Sequence, residues 1–346
     1  MIVIDGSFGE GGGSLLRQSI SMSILTQKPF RIINIRKNRS KPGLNHQHLA
    51  SIKLARAVCS ARVSGDFLGS DSVDFFPSPI TSGKDISLDI GSAGSISLAL
   101  QSVLLPCIFS KKSFGFELVG GTDVSHSPPM DFLNLVLFPL FFDFAKFDFK
   151  ILRRGFFPKG GGKVRLRISS FSDLSKVKPI SLLGYDRGSK FLGNFVFSKD
   201  FSDDGVALKF ENFVKFYLQD FGLPVNFRSF YSDTLSSGAS FFVCFFANAF
   251  NDEVFYRVSS NALFDKSLPI DAQAKFLAND ISTKVNSGCV VDEFLADMLI
   301  PFLAFSKGVF KCFKITDHVL SNIYLVENFL DVKFSVDKVR NEIRVV

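Results

Sequence analysis

Apolar and polar positions fall into a repeating order from the first residues. Residues 2–4 make a short apolar strand. A glycine-rich turn, Gly6-Ser7-Phe8-Gly9-Glu10-Gly11-Gly12-Gly13, then leads into residues 14–20, where the apolar spacing becomes helical. The same progression recurs at residues 86–90, which pass through Gly91-Ser92-Ala93-Gly94-Ser95 into a predicted helix over 96–105. Between them the pattern predicts a strand at 31–35, a basic loop, a helix over 46–59 and strands at 61–64 and 73–76. A third cycle runs from a strand at 114–119 through Gly120-Gly121-Thr122 to a helix over 129–144 and strands at 147–152 and 163–168. An α+β unit is thus repeated, although the copies share little sequence.

The texture changes after about residue 183, where Gly184-Tyr185-Asp186-Arg187-Gly188 reads as a turn-rich hinge. Beyond it the pattern gives a strand at 192–197, a helix over 206–220 and strands near 225–231 and 240–247. Helical spacing resumes at 271–285 and 293–305. A strand at 309–315, a helix over 318–329 and strands at 332–336 and 342–346 follow. We divide the chain into a large domain, residues 1–183 and 266–346, and a small domain, residues 184–265, inserted into it. A length of 346 residues agrees with more than one core.

Composition excludes several classes of protein. With 46% hydrophobic and 21% charged residues the chain is globular rather than disordered. Its 43 phenylalanines, with no tryptophan, fill core positions. The most apolar run, residues 132–144, is interrupted by Asn134, Pro139 and Asp143, so it reads as a buried helix and not a bilayer span. The start of the chain has neither a basic segment nor a long apolar one, and no secretory signal is expected. Cys59, Cys107, Cys244, Cys289 and Cys312 are odd in number and lack a C-x-x-C pair, which argues against disulfides and zinc and for a reducing compartment. The net charge of +7 favours a polyanionic partner, and Arg31, Arg36, Lys37, Arg39 and Lys41 crowd one stretch.

Four segments could carry chemistry. Gly9-Glu10-Gly11-Gly12-Gly13 is either a tight strand-to-helix turn or a phosphate cradle, in which Glu10 would hold a divalent metal beside the anion. Arg36-Lys37-Asn38-Arg39-Ser40-Lys41 is either a solvated loop or a phosphate grip, with His46, Gln47 and His48 close by. Arg153-Arg154-Gly155-Phe156-Phe157-Pro158-Lys159-Gly160-Gly161-Gly162 is either a bulge or a place where something comes very close. His318 follows Thr316-Asp317, residues suited to capping, and opens a helix. It is either structural or a nucleophile, since a helix start favours a neutral imidazole and stabilises a bound phosphoryl group. His126, beside Pro128-Pro129, has weaker surroundings for catalysis.

These blocks, in this order, resemble the RNA 3′-terminal phosphate cyclases. The resemblance also takes in Arg17, Gly43-Leu44, Gln47-His48-Leu49, Gln101, Asp123, Glu293-Phe294-Leu295-Ala296-Asp297 and Asn322-Ile323. The stretch from Arg154 to the triple glycine is the most specific part, and only residues 184–265 show little likeness. The resemblance implies an α+β fold: a large domain of three repeated units, each two helices on a four-stranded sheet like the C-terminal domain of translation initiation factor three, with a small α+β insert. It implies an ATP-dependent enzyme of RNA processing that turns an RNA 3′-phosphate into a 2′,3′-cyclic phosphodiester through a histidine–AMP intermediate. His318 is then the nucleophile and Glu10 the ligand of a divalent metal, Mg or Mn. Gln101, Phe294, Leu295, Ala296, Asp297, Met298 and Pro128 contact ATP, and Arg17, Arg36, Arg39 and Gln47 contact the RNA phosphate.

The implied partners are ATP and RNA 3′-phosphate ends, with no membrane, and a cytoplasmic setting, or a nuclear one in a eukaryote. Phe294 and Met298 depart from the family pattern, which commonly has a hydroxylated aromatic residue or histidine at the first position and glutamine at the second. Stacking on a base survives those changes, while polar contacts are lost. The alternative reading is a non-catalytic cyclase-like ribosome-assembly protein that binds pre-ribosomal RNA and proteins. Such proteins typically lack the histidine and much of the phosphate grip, which are present here as His318, Glu10, Arg36 and Arg39. An enolpyruvyl transferase, with a similar repeated architecture, has no need of a histidine opening the last helix.

Overall fold

A computed structural model describes residues 1–248 and 255–346. The first sheet holds β1 (Ile2–Asp5), β2 (Phe30–Ile33), β3 (Arg62–Ser64) and β4 (Val73–Phe76), and helices α1 (Ser14–Thr26) and α2 (His46–Cys59) interrupt it. The second holds β5 (Asp85–Asp89), β6 (Ser113–Gly120), β7 (Ala145–Arg153) and β8 (Gly162–Ser170), with α3 (Ile96–Gln101), α4 (Leu104–Ile108) and α5 (Met130–Phe132) between strands. β9 (Ser181–Leu182) precedes a further sheet, of β10 (Arg187–Ser198), β11 (Val225–Ser232), β12 (Ala239–Asn248) and β13 (Phe255–Leu263). Helix α6 (Val206–Leu218) lies within it and α7 (Ile270–Asn286) after it, packed on α6, β12 and β13. Then come α8 (Glu293–Ser306), β14 (Val309–Lys311), α9 (Asp317–Phe329), β15 (Phe334–Asp337) and β16 (Glu342–Val345).

The fold among the described residues is therefore α+β, with four mixed four-stranded sheets. Three of them, β1–β4, β5–β8 and β9 with β14–β16, share the order first–second–fourth–third, with the first pair parallel and the others antiparallel. The fourth departs from it, with order β11-β10-β12-β13. Among the described residues no helix is long and apolar enough to cross a membrane, and all five cysteines are buried and free.

Two predicted helices are broken, and proline is the reason both times. The helix expected over 96–105 ends at Gln101, because Pro106 has no N–H for the carbonyl of Ser102; the chain restarts as α4 with the proline in its first turn. The helix expected over 129–144 is α5 followed by a π turn, Leu133–Leu137, and a 3-10 turn, Phe138–Phe141. Here Pro139 frees the carbonyl of Leu135, which accepts instead from Arg257 Nη1 on β13 at 2.7 Å. That strand was not expected from the sequence pattern, and the strand expected over 309–315 stops at Lys311.

Helix α1 is the central element, touching α2, α3, α4 and α9, and every residue from Ser14 to Ile24 is buried. Ser14, Ser19, Ser21 and Ser23 are small enough to let neighbours close in on all its faces. Phenylalanine fills the seams elsewhere: Phe109, Phe141, Phe144 and Phe302 interlock between the second sheet's helices and α8.

A buried ionic cluster fastens β10 to the second sheet. Arg154 Nη1 reaches Asp131 Oδ2 at 2.5 Å and Asp123 Oδ1 at 3.1 Å, and Asn194 on β10 donates to Asp131 Oδ1 at 2.7 Å. Burial alone would lower the Arg154 pKa, but Asp123 and Asp131 outweigh it and hold the guanidinium firmly protonated. Arg154→Leu strands two buried carboxylates and should cost about 3–5 kcal/mol. Arg165→Ala, which breaks only an exposed, solvent-screened pair with Glu117, should cost far less. Urea unfolding of the two variants decides it, and near-equal losses would refute this account.

Candidate active site

The β1–α1 connection, the α2 start, the 125–128 loop, the α8 start and the α9 start converge on one cavity of about 770 Å3. Its wall includes Glu10, Arg17, Arg36, Arg39, Gln47, Pro128, Phe294, Asp297, Met298 and His318. The turn after β1 is pinned to α9 by Phe8, whose ring stacks on Tyr324 with centroids 4.1 Å apart. Thr316 caps α9 by accepting from the Val319 N–H at 3.3 Å, which sets His318 in the first turn. His318 Nε2 lies 3.0 Å from Glu10 Oε2, and Arg39 Nη2 reaches the same oxygen at 3.3 Å.

Behind these groups lies a buried layer. The Asp297 carboxyl is pushed up by burial, against the opposing pull of His318, Arg17 and Gln101. Pro301, inside α8, cannot donate to the Asp297 carbonyl, and Asn322 Nδ2 on α9 does so at 3.0 Å while also bonding Asp297 Oδ1. Arg17 is buried, and the one hydrogen-bond partner of its guanidinium among the described residues is Gln101 Oε1 at 2.8 Å. Burial brings its pKa down to about 10, with Asp297 opposing, so it is still a cation at neutral pH. Arg36 donates to the Gly43 carbonyl at 3.0 Å; burial and then Arg39 lower its pKa.

The basic stretch is thus divided. Arg36 and Arg39 face the cavity, whereas Arg31 is neutralised on the sheet's outer side by Asp74, 2.5 Å away. Three guanidiniums and three carboxylates line the wall. Glu293 is answered from outside by Lys284 at 2.9 Å and Asp297 by the Asn322 amide, which leaves Arg17 and Arg36 free to meet an anion.

Not every expected residue reaches the wall. Leu295 and Ala296 are buried in the core, because an α-helix turns Phe294, Asp297 and Met298 to one side and the two residues between them to the other. Gln101 stands behind Arg17, holding it. Gln47 accepts from the Ser95 N–H at 3.0 Å and so braces the Gly91–Ser95 turn as well as facing the cavity. The structure adds Ser125, His126, Glu293 and His48 to the wall. Glu293 was within reach of the helical spacing, being one turn from Asp297 and Met298.

His48 shows why Gly13 must be glycine: a Cβ there would come within 2.0 Å of His48 Nε2. Nδ1 accepts from the Asn45 N–H at 3.2 Å in a capping box, and burial, with Arg17 and Arg36 nearby, brings the pKa down to about 3. The unfolded chain therefore binds a proton that the folded protein refuses, and the stability this supplies is lost as pH falls from near 6.5 towards 3. From about pH 7 to about pH 5 the wild type should lose about 2 kcal/mol more than His48→Gln, which keeps a capping side chain without titrating. Parallel urea midpoints for the two proteins over that interval would contradict this.

The RNA 3′-terminal phosphate cyclase family model matches residues 8–336. The RNA 3′-terminal phosphate cyclase of Pyrococcus furiosus is 36% identical over 362 residues, covering 100% of this chain and 99% of its own length. Those of Caldivirga maquilingensis and Methanosarcina barkeri are each 34% identical, over 356 and 347 residues, covering 100% and 98% of this chain and 97% of their own. A match of this extent and order makes the chain an enzyme of the family to which they belong, the RNA 3′-terminal phosphate cyclases.

Proposed function

We propose that the protein uses ATP to convert an RNA 3′-phosphate into a 2′,3′-cyclic phosphodiester, with His318 as the residue that becomes adenylated. The observation that carries this is the placing of His318 Nε2 in the same cavity as two guanidiniums, Arg17 and Arg36, that make no ion-pair contact with a carboxylate among the described residues. Such a site attracts phosphate and sets a nucleophile beside it.

In the first step His318 Nε2 attacks the α-phosphorus of ATP, an N–P bond forms and pyrophosphate leaves. The nitrogen attacks with a free lone pair, so the imidazole's proton must then sit on Nδ1. The N–H groups at the start of α9 favour the charge on the bound phosphoryl group. AMP then moves from the histidine to the RNA 3′-phosphate. The neighbouring 2′-hydroxyl finally attacks that phosphorus and expels AMP; both groups sit on one ribose, so the ring closes by proximity.

Phe294 and Pro128 offer faces for the adenine, and Asp297 and Met298 lie on the same side of α8. Arg17, Arg36, Arg39 and Gln47 would take the RNA phosphate. Among the described residues no cluster of three His, Cys, Asp or Glu side chains could cage a metal ion. The donor set fits an ion, Mg or Mn, carried in by the triphosphate, with Glu10 as its protein ligand and charge neutralisation as its contribution. We also read the three sheets of common strand order as copies of one unit like the C-terminal domain of translation initiation factor three. Residues 184–265 are the insert, and α7 packs against it.

Incubation with α-labelled ATP and a divalent metal should give labelled protein whose bond is acid-labile and alkali-stable, and His318→Ala should abolish the label. An unlabelled wild type under varied metals, or an equally labelled variant, would refute the mechanism and favour the non-catalytic alternative.

A further inference from the structure

The block 153–162 has a buried half and an exposed half. Arg154 and Phe156 are buried and join the second sheet to the insert. Phe157, in contrast, is 73% exposed, with no ring contact among the described residues. Arg153, which donates to the Gly161 carbonyl at 2.6 Å, and Lys159 flank it in sequence, both exposed and without an acidic partner among the described residues. Leu235 of the insert is 49% exposed and lies directly on Gly161, where a Cβ would come within 2.4 Å of Leu235 Cδ1. The Lys159 N–H donates to Ser236 Oγ at 3.0 Å. The two loops form one surface on which apolar and cationic groups alternate.

That surface borders the cavity. Gly160 packs so closely on the Gly91–Ser95 turn that a Cβ there would sit 2.7 Å from Ala93 Cα. The other side of this turn rests on Gln47, which accepts from the Ser95 N–H and faces the cavity. A single glycine-rich turn therefore separates the cavity from Phe157 and Lys159.

We infer that this surface binds the single-stranded RNA that precedes the 3′-terminal nucleotide, Phe157 stacking on a base while Arg153 and Lys159 follow the backbone phosphates. The inference rests on the cyclase reading above, since the terminal phosphate in the cavity is what draws the strand across the turn. The chemistry selects a nucleic acid. Unpaired cations complement phosphates, and an exposed ring suits any base without a demand for sequence. Two apolar side chains fall far short of the roughly 20–30 residues a side that a stable protein interface uses.

The test compares a 3′-phosphorylated dinucleotide with a 3′-phosphorylated oligoribonucleotide of about ten residues. The wild type should favour the longer substrate, and Phe157→Ala should raise its KM about tenfold, the loss of one base–aromatic stack. Labelling by α-labelled ATP and turnover of the dinucleotide should be unchanged, which also shows that the variant is folded. Lys159→Ala should flatten the salt dependence of KM for the longer substrate alone. Intact labelling with a KM that ignores length, or a Phe157→Ala defect equal on both substrates, overturns the docking surface and leaves the cyclase reading standing. An unlabelled wild type overturns both.

Discussion

The Asp297 carboxyl is the group on which the cavity's geometry depends. A carboxylate taken out of water is costly unless donors and cations surround it, and here the donors come from different elements. Asn322 of α9 bonds both its carbonyl and its side chain, which locks α9 against α8 and thereby fixes the turn that carries His318. Arg17 of α1 and Gln101 of α3 complete the layer. Pro301 makes this possible: without it the Asp297 carbonyl would be spent inside α8.

The same device ties β13 to the elements around the second sheet and α8. Pro139 frees a carbonyl that Arg257 of β13 takes. Asp292, which caps α8, also accepts from the Ser259 N–H of β13 at 3.0 Å and from its hydroxyl at 2.6 Å. Lys284 of α7 pairs with Glu293 on the cavity wall. The start of α8, with Phe294 next to Glu293, is thus held from β13 and α7, and these contacts are polar and directional. They fix orientation where an apolar seam would permit sliding.

Elements with a strong local period were readable from the sequence. The helix over 46–59 and the strand over 73–76 are found where the apolar spacing puts them. What escaped was set by distant partners. β13 mixes serine and asparagine with apolar residues, and its pairing with β12 rather than its own pattern makes it a strand. Proline breaks were legible in principle, since Pro106 and Pro139 announce the lost bonds. The candidate site residues were read as contiguous motifs, and contiguity misleads on a helix: Phe294, Asp297 and Met298 share a face that Leu295 and Ala296 cannot. The burial of a serine-rich α1 on every side had no local signal, because it depends on four other helices closing around it.

Two buried arginines show how structural and ligand-binding roles separate physically. Arg154 sits among Asp123 and Asp131, and their charges overcome the penalty of burial. Nothing more can be gained by bringing it an anion, and its removal harms the fold. Arg17 is equally buried, but a neutral amide is its guanidinium's only hydrogen-bond partner among the described residues, and burial prevails over the pull of Asp297. Its charge is held in a poorly compensated state. In surroundings of low dielectric a phosphate arriving beside it recovers far more free energy than it would from a solvated lysine. His48, forced neutral next to it, adds no competing charge. The sequence presents both arginines as basic residues near glycines; the difference between them lies in which carboxylates the fold brings close.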